Sequence, residues 1–270
     1  FICTDFRINP QDLVSMAKTL CRRHFSVGAD GLVALYNSDQ ADYKMVIANS
    51  DGSIPEMCGN GLRCFVHFLL DLNLLDKDNV SIETDAGILS VSIINHDNHL
   101  LESKVSIGKA KFLDTLPLDD FNFNVKDNLI HEIKVDFESY KFIPISMGNP
   151  HVVIFVNNVD TVNLSKLGPL IESSDLFPNN VNVEFVELKS DDLLKMRVWE
   201  RGVGETNACG TGACASVVAA NLTNQCKGSV TVQLAGGDLI IEFDSSSNNV
   251  LLQGPSEFVY SSDIQINRGS

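Results

Sequence analysis

At 270 residues the chain is long enough for two domains of ordinary size, and its 35 Asp+Glu against 20 Lys+Arg give a formal net charge of −15. That charge opposes a phosphate backbone or an anionic membrane surface, so neither nucleic acid nor membrane is an expected partner. No apolar run approaches the ~20 residues that cross a bilayer as a helix; Phe65 to Leu70 is interrupted by His67, and the chain reads as soluble.

Apolar spacing at Leu13, Met16, Ala17 and Leu20 predicts a helix over Asp12 to Cys21, followed by strands over Gly28 to Tyr36 and Tyr43 to Ala48. Asn49-Ser50-Asp51-Gly52 is a turn, Gly59-Asn60-Gly61 leads into a buried helix over Leu62 to Leu72, and Val80 to Ile93 reads as a hairpin around Asp85-Ala86-Gly87. A polar, weakly patterned linker spans Gly108 to His131. Beyond it the order repeats: a helix over Leu164 to Ile171, strands over Asn182 to Leu188 and Leu194 to Trp199, a glycine turn at Gly202 to Gly204, a helix from Gly210 to Leu222, and a hairpin over Val230 to Phe243. Glu257 to Ile266 alternates like a strand that returns to the first domain.

The repeat is also written in the residues. Cys58-Gly59-Asn60-Gly61 and Cys209-Gly210-Thr211-Gly212 lie 151 positions apart, and the same offset lays Lys44-Met45 on Lys195-Met196, Asn49 on Glu200 and Gly31 on Asn182. An internal duplication follows, with a thiol at the start of the equivalent helix in each half. Fold class is therefore mixed α/β in two pseudo-symmetric domains.

Seven cysteines are an odd count in a chain large enough to fold on its core, which disfavours a disulfide framework. The spacings of Cys58/Cys64 and Cys209/Cys214 fit zinc sites poorly, and no metal is expected. Cys3, Cys21, Cys64, Cys214 and Cys226 read as small buried hydrophobes. Cys58 and Cys209 read differently. Helix-start N–H groups favour thiolate and approach a bound carboxylate, so the expected effect on these thiols is a lowered pKa. Two opposed thiols can take a proton from one face of a carbon and return one to the other, which is racemisation or epimerisation. No nucleotide fingerprint or lysine context calls for a cofactor.

At these residues the chain resembles the diaminopimelate epimerase family over nearly its whole length. The passages are Arg23 to Gly31, Asn49 to Ser53, Met57 to Cys64, Ser146-Met147-Gly148-Asn149-Pro150-His151, Val181-Asn182-Val183, and Arg197 to Gly202 through Ala208 to Cys214. The resemblance implies cofactor-free interconversion of LL- and meso-2,6-diaminopimelate in lysine biosynthesis, with Cys58 and Cys209 as the acid/base pair. It implies that Gly59, Asn60, Gly210 and Thr211 hold the carboxylate at the reacting centre. By the same resemblance, Asn49, Asn149, Asn182 and Arg201 would recognise other polar groups, Arg201 as the bidentate partner for the distal carboxylate, and His151 and Glu200 would lie near the reacting centre.

In fold, the resemblance implies a sheet curled around a central helix in each domain, residues 1–108 with 256–270 carrying Cys58 and residues 109–255 carrying Cys209. A homodimer and a cytoplasmic location are expected with it. Two departures stand out. Family members usually carry Gly-Asn-Asp-Phe at the first strand, and Phe1 matches that Phe, so a short segment with one binding Asn is expected before it. Gly31 stands where some members place a substrate-contacting Gln. Rival readings are a proline or hydroxyproline racemase, which typically has His where this chain has Asn60, and a thiol redox protein, which would favour a Cys-x-x-Cys pair.

Overall fold

The computed structural model describes residues 1–5, 10–55, 57–97, 99–112 and 129–264. Its first half runs β1 (Ile2–Thr4), α1 (Pro10–Leu20), β2 (Gly31–Tyr36), β3 (Tyr43–Asn49), α2 (Gly59–Asp71), β4 (Asn79–Thr84), β5 (Gly87–His96) and β6 (Leu100–Lys109). Next come β7 (Lys111–Phe112), β8 (His131–Val135), β9 (Glu138–Ser146), β10 (Pro150–Phe155), α3 (Leu164–Glu172), β11 (Asn182–Ser190), β12 (Leu193–Glu200) and β13 (Gly204–Thr206). The chain then continues through α4 (Gly210–Leu222), β14 (Ser229–Leu234), β15 (Gly237–Asp244) and β16 (Asn249–Glu257). Of the expected linker, residues 113–128 lie outside the described residues.

The duplication is a duplication of strand pairing. β1 is parallel to β2, β2 antiparallel to β3, β3 parallel to β4, and β4, β5 and β6 form an antiparallel run. The second half repeats each step with β10, β11, β12, β14, β15 and β16. Both hairpins close the same way, with Thr84 opposite Gly87 and Leu234 opposite Gly237. Those glycines sit at φ of 114° and 123°, a region that a side chain rarely tolerates. β6 and β16 then pair antiparallel, edge to edge, so that the two halves share one continuous sheet.

Each long helix is wrapped by the strands of its own half, with β16 shared by both helices. α2 packs against β1, β2, β3, β6 and β16, while α4 packs against β9 through β12, β14, β15 and β16. α4 is buried on every side from Gly212 to Ala220, so small residues (Ala213, Ala215, Ala219, Ala220) let the strands close around it. α2 buries Leu62, Phe65, Val66 and Leu69, each contributing about 1.5–3 kcal/mol of apolar transfer. One buried cluster runs through both helices and both halves; smaller clusters lie under α1 and α3.

Two sequence expectations change. α2 begins at Gly59 rather than Leu62, because Cys58 caps it and the glycines are already helical. The C-terminal strand is β16, ending at Glu257; residues 258–264 are not strand, and 265–266 lie outside the described residues.

Candidate active site

Cys58 and Cys209 are the N-caps of α2 and α4. Both have extended backbones (φ −141°, ψ 114° and φ −131°, ψ 108°), and each Sγ accepts from an N–H three residues on, Gly61 and Gly212, at 3.4 Å. An N-cap is normally Ser, Thr, Asp or Asn, whose oxygen satisfies an orphan N–H more strongly; sulfur here takes that place. The caps are alike because the strands before them are alike, β3 leading to Cys58 and the β12–β13 hairpin to Cys209.

The two helix starts face each other. A methyl group on Gly210 would lie 3.7 Å from Asn60 Oδ1 and 3.1 Å from Leu252 Cδ1, and one on Gly59 would lie 3.9 Å from the same Leu252 atom. Leu252, on β16, thus supports both starts from beneath. Asn60 is held from its own side by Arg63, which donates from Nη2 to Asn60 Oδ1 (3.0 Å), from Nη1 to Gly59 O (3.4 Å) and from Nε to Pro255 O (3.2 Å).

A chain of polar contacts lines the Cys209 side. Glu184 Oε1 meets His151 Nδ1 at 2.7 Å, and His151 Nε2 meets Asn149 Oδ1 at 2.9 Å. Asn149 Nδ2 donates to Thr211 Oγ1 (3.3 Å), which lies 3.6 Å from Cys209 Sγ. β10 and β11 impose this order: they are parallel with His151 opposite Asn182, which sets His151 and Glu184 close on the inner face. Both side chains are fully buried, and among the described residues Glu184 Oε2 has no hydrogen-bond partner. Glu200, at the end of β12, accepts from Thr206 Oγ1 and is hydrogen-bonded to Cys209.

The recognition residues sit around this centre. Asn182 accepts from the Arg201 N–H (2.9 Å) and donates to Pro150 O (2.8 Å). The Arg201 side chain is exposed, with one long contact to Asn179 O (3.4 Å). Among the described residues no carboxylate lies within ion-pair distance of it; Glu205, four residues on, pairs with Arg197. Asn49 ends β3 where Glu200 ends β12, and donates to Ser53 Oγ. At Gly31 a methyl group would lie 3.0 Å from both Ala48 O and the Phe1 ring, so a longer side chain here would crowd both.

Burial decides the state of the thiols. It pushes the Cys58 thiol up, against the downward pull of the Gly61 and Asn60 N–H groups and the Arg63 guanidinium. Cys209 is raised well above the ordinary thiol range, by burial first and then by the carboxylates of Glu200 and Glu184, against Thr211 and Gly212. Glu200 is itself raised by burial. The lowered pKa expected of a helix start is therefore corrected: loss of water outweighs the helix amides at both sites. What remains is an asymmetry, with a cation beside one thiol and two acids beside the other.

Glu184 and Arg63 are the site residues that the sequence alone did not single out. The signal for Glu184 was an acid two residues after Asn182 in the mostly apolar run Val181 to Val186; for Arg63 it was a charge inside a buried helix.

Comparison with known proteins places these residues in a family. The family model described as diaminopimelate epimerase matches residues 5–113 and 143–259. A diaminopimelate epimerase from Halothermothrix orenii is 44% identical over 264 residues, covering 96% of this chain and 91% of that protein. One from Methanococcus maripaludis is 43% identical over 259 residues, with the same coverage. In structure, the chain resembles a hydroxyproline epimerase from Agrobacterium vitis (TM-score 0.67, 14% identity, 92% of this chain and 79% of that one). It also resembles a PhzF-family phenazine biosynthesis protein from Bacillus anthracis (TM-score 0.62, 16% identity, 94% and 90%). These structural likenesses speak for the fold alone.

Proposed function

This chain belongs to the diaminopimelate epimerase family, and from that premise we propose that it interconverts LL- and meso-2,6-diaminopimelate by proton transfer between Cys58 and Cys209, without a cofactor. The observation that carries the mechanism is the pair of thiol-capped helix starts facing each other across Asn60 and Gly210.

A substrate carboxylate between the two starts meets the free N–H groups of both helices: Gly59 and Asn60 from one, Gly210 and Thr211 from the other. As one thiolate removes the α-proton, negative charge spreads into that carboxylate, where the helix N–H groups stabilise it without reorganising. The opposite thiol delivers its proton to the other face of the carbon, so one thiolate is consumed and one is made. Charge favours Cys58 as the thiolate before substrate arrives, since Arg63 lies on its side and Glu200 and Glu184 lie beside Cys209.

The remaining residues fit the rest of the molecule. Asn149 and His151 brace Thr211, Glu200 meets the ammonium at the reacting carbon, and Asn49, Asn182 and Arg201 bind the distal end, with Arg201 on the far carboxylate. In the same reading the lobes are residues 1–108 with 256–270 and residues 109–255, and the enzyme is a cytoplasmic homodimer.

The test is NMR of LL-diaminopimelate with reduced protein in D2O. Loss of the α-proton and growth of the meso form, absent in Cys58→Ala and in Cys209→Ala, support the reading. Exchange of L-proline in its place would move the assignment to the racemases of similar fold, and silence with both would overturn it.

A further inference from the structure

We propose that Glu172, which touches no substrate, is the positioning residue that aims Arg201 at the distal carboxylate; this rests on the role given to Arg201 above. Glu172 is the last residue of α3 and is 9% exposed. Its carboxylate collects three N–H donors: Trp199 Nε1 on Oε2 (2.7 Å), and the Gly202 backbone N–H (2.8 Å) and Asn180 Nδ2 (3.4 Å) on Oε1. Among the described residues no cation lies within ion-pair distance of it. An acid at a helix C-terminus is opposed by the helix dipole, so local preference does not place it there.

The three donors belong to the elements that frame Arg201. Trp199 lies near the end of β12, Gly202 follows Arg201 in the turn to β13, and Asn180 precedes β11 in a left-handed conformation (φ 56°). α3 presses on the Trp199 indole so closely that a methyl group on Gly168 would lie 2.5 Å from the ring. The Arg201 N–H is held by Asn182 Oδ1 and the next N–H by Glu172 Oε1. The backbone on both sides of the Arg201 side chain is thus fixed by buried acceptors, while the side chain itself is exposed, with one long contact to Asn179 O. A guanidinium recognises a carboxylate through a fixed fork, so a turn held at both N–H groups preserves its aim.

Glu172→Gln keeps shape but replaces one acceptor with a donor, which cannot serve Trp199 and Gly202 together. Trp199 is the only tryptophan, so its emission reports whether the clamp has changed. In the full chain, Glu172→Gln is expected to shift that emission and raise KM for diaminopimelate about tenfold, with kcat within about threefold. In an Arg201→Lys background the same substitution should change KM less than about twofold, because the fork it aims is gone. An unchanged KM, or an equal rise in the Arg201→Lys background, overturns the proposal. A native chain that does not turn over diaminopimelate overturns instead the reading beneath it, before any variant is compared.

Discussion

Val105 and Leu252 pair directly across β6 and β16, and each holds the same place in its own half of the duplication. The ladder Val80–Val91–Val105 in the first half repeats as Val230–Ile241–Leu252 in the second. The local two-fold therefore passes between these two fully buried side chains. Both helix starts lie over this seam, which is why two starts 151 residues apart in sequence come together at one place.

Leu252→Ala should affect fold and chemistry together. The lost side chain leaves a cavity under both helix starts, at a cost of about 2–5 kcal/mol. Urea titration should show that loss, and kcat should fall at temperatures where the variant is still folded, because Gly59 and Gly210 lose their common support. Unchanged kcat in a destabilised variant would show that Leu252 supports the core alone.

Much of this arrangement is legible in the residues, and the rest is hidden for definable reasons. α4 runs from Gly210 to Leu222 as read, since its apolar stretch is long and its start is marked by Cys209. The seam strands β6 and β16 are disguised. Their buried positions include Ser103 and Gly254, which face each other, and Gly254 is small because the Arg63 guanidinium and Leu239 crowd it. Alternation of apolar and polar residues therefore fails just where the halves join, and the plainer alternation from Glu257 onward points past the strand that forms. Glu184 escaped for a different reason: the alternation Val183-Glu184-Phe185 marks it as exposed, but both faces of β11 are buried here, and only a partner 33 residues earlier, His151, explains it.

The equivalent glycines Gly61 and Gly212 should respond differently to alanine, although helix propensity would favour both changes by about 1 kcal/mol. At Gly61 the new methyl meets the mobile end of Ile47, 2.9 Å away, so Gly61→Ala should stay within about 1 kcal/mol of the native stability. At Gly212 it meets Glu184 Oε1 at 2.7 Å and Cys209 Sγ at 3.3 Å, both fixed. Gly212→Ala should therefore lose about 1–3 kcal/mol and most activity. Thermal melts of the two variants decide it; equal melting temperatures would contradict the asymmetry.

Alkaline pH should destabilise the fold through its buried thiols. Burial raises Cys226 to about 11 and Cys214 further. Above about pH 8.5 the unfolded chain ionises these thiols while the folded chain keeps them protonated. Their contribution is complete below that pH and is lost as pH rises through the folded values, by up to about 1.4 kcal/mol per unit and thiol. Melting temperature should drop between pH 8 and 10.5, and Cys226→Ala should flatten that drop even where it lowers stability overall. A slope identical to the native chain would remove Cys226 from the account.

Arg63 and Glu184 should move opposite limbs of the pH–rate profile. In the direction where Cys58 is the base, kcat/KM rises as Cys58 ionises and falls as Cys209 loses the proton it must deliver. Arg63→Met removes a cation that pulls the Cys58 thiol down, so the rising limb should move to higher pH. Glu184→Gln removes a carboxylate that pushes the Cys209 thiol up, so the falling limb should move down. Each variant narrows the profile from one side only, and the same limb should move from either stereoisomer, because both directions draw on the one singly deprotonated form of the thiol pair. A displaced limb separates an electrostatic effect on one thiol from general damage to the site, which would lower the whole profile without displacing either limb.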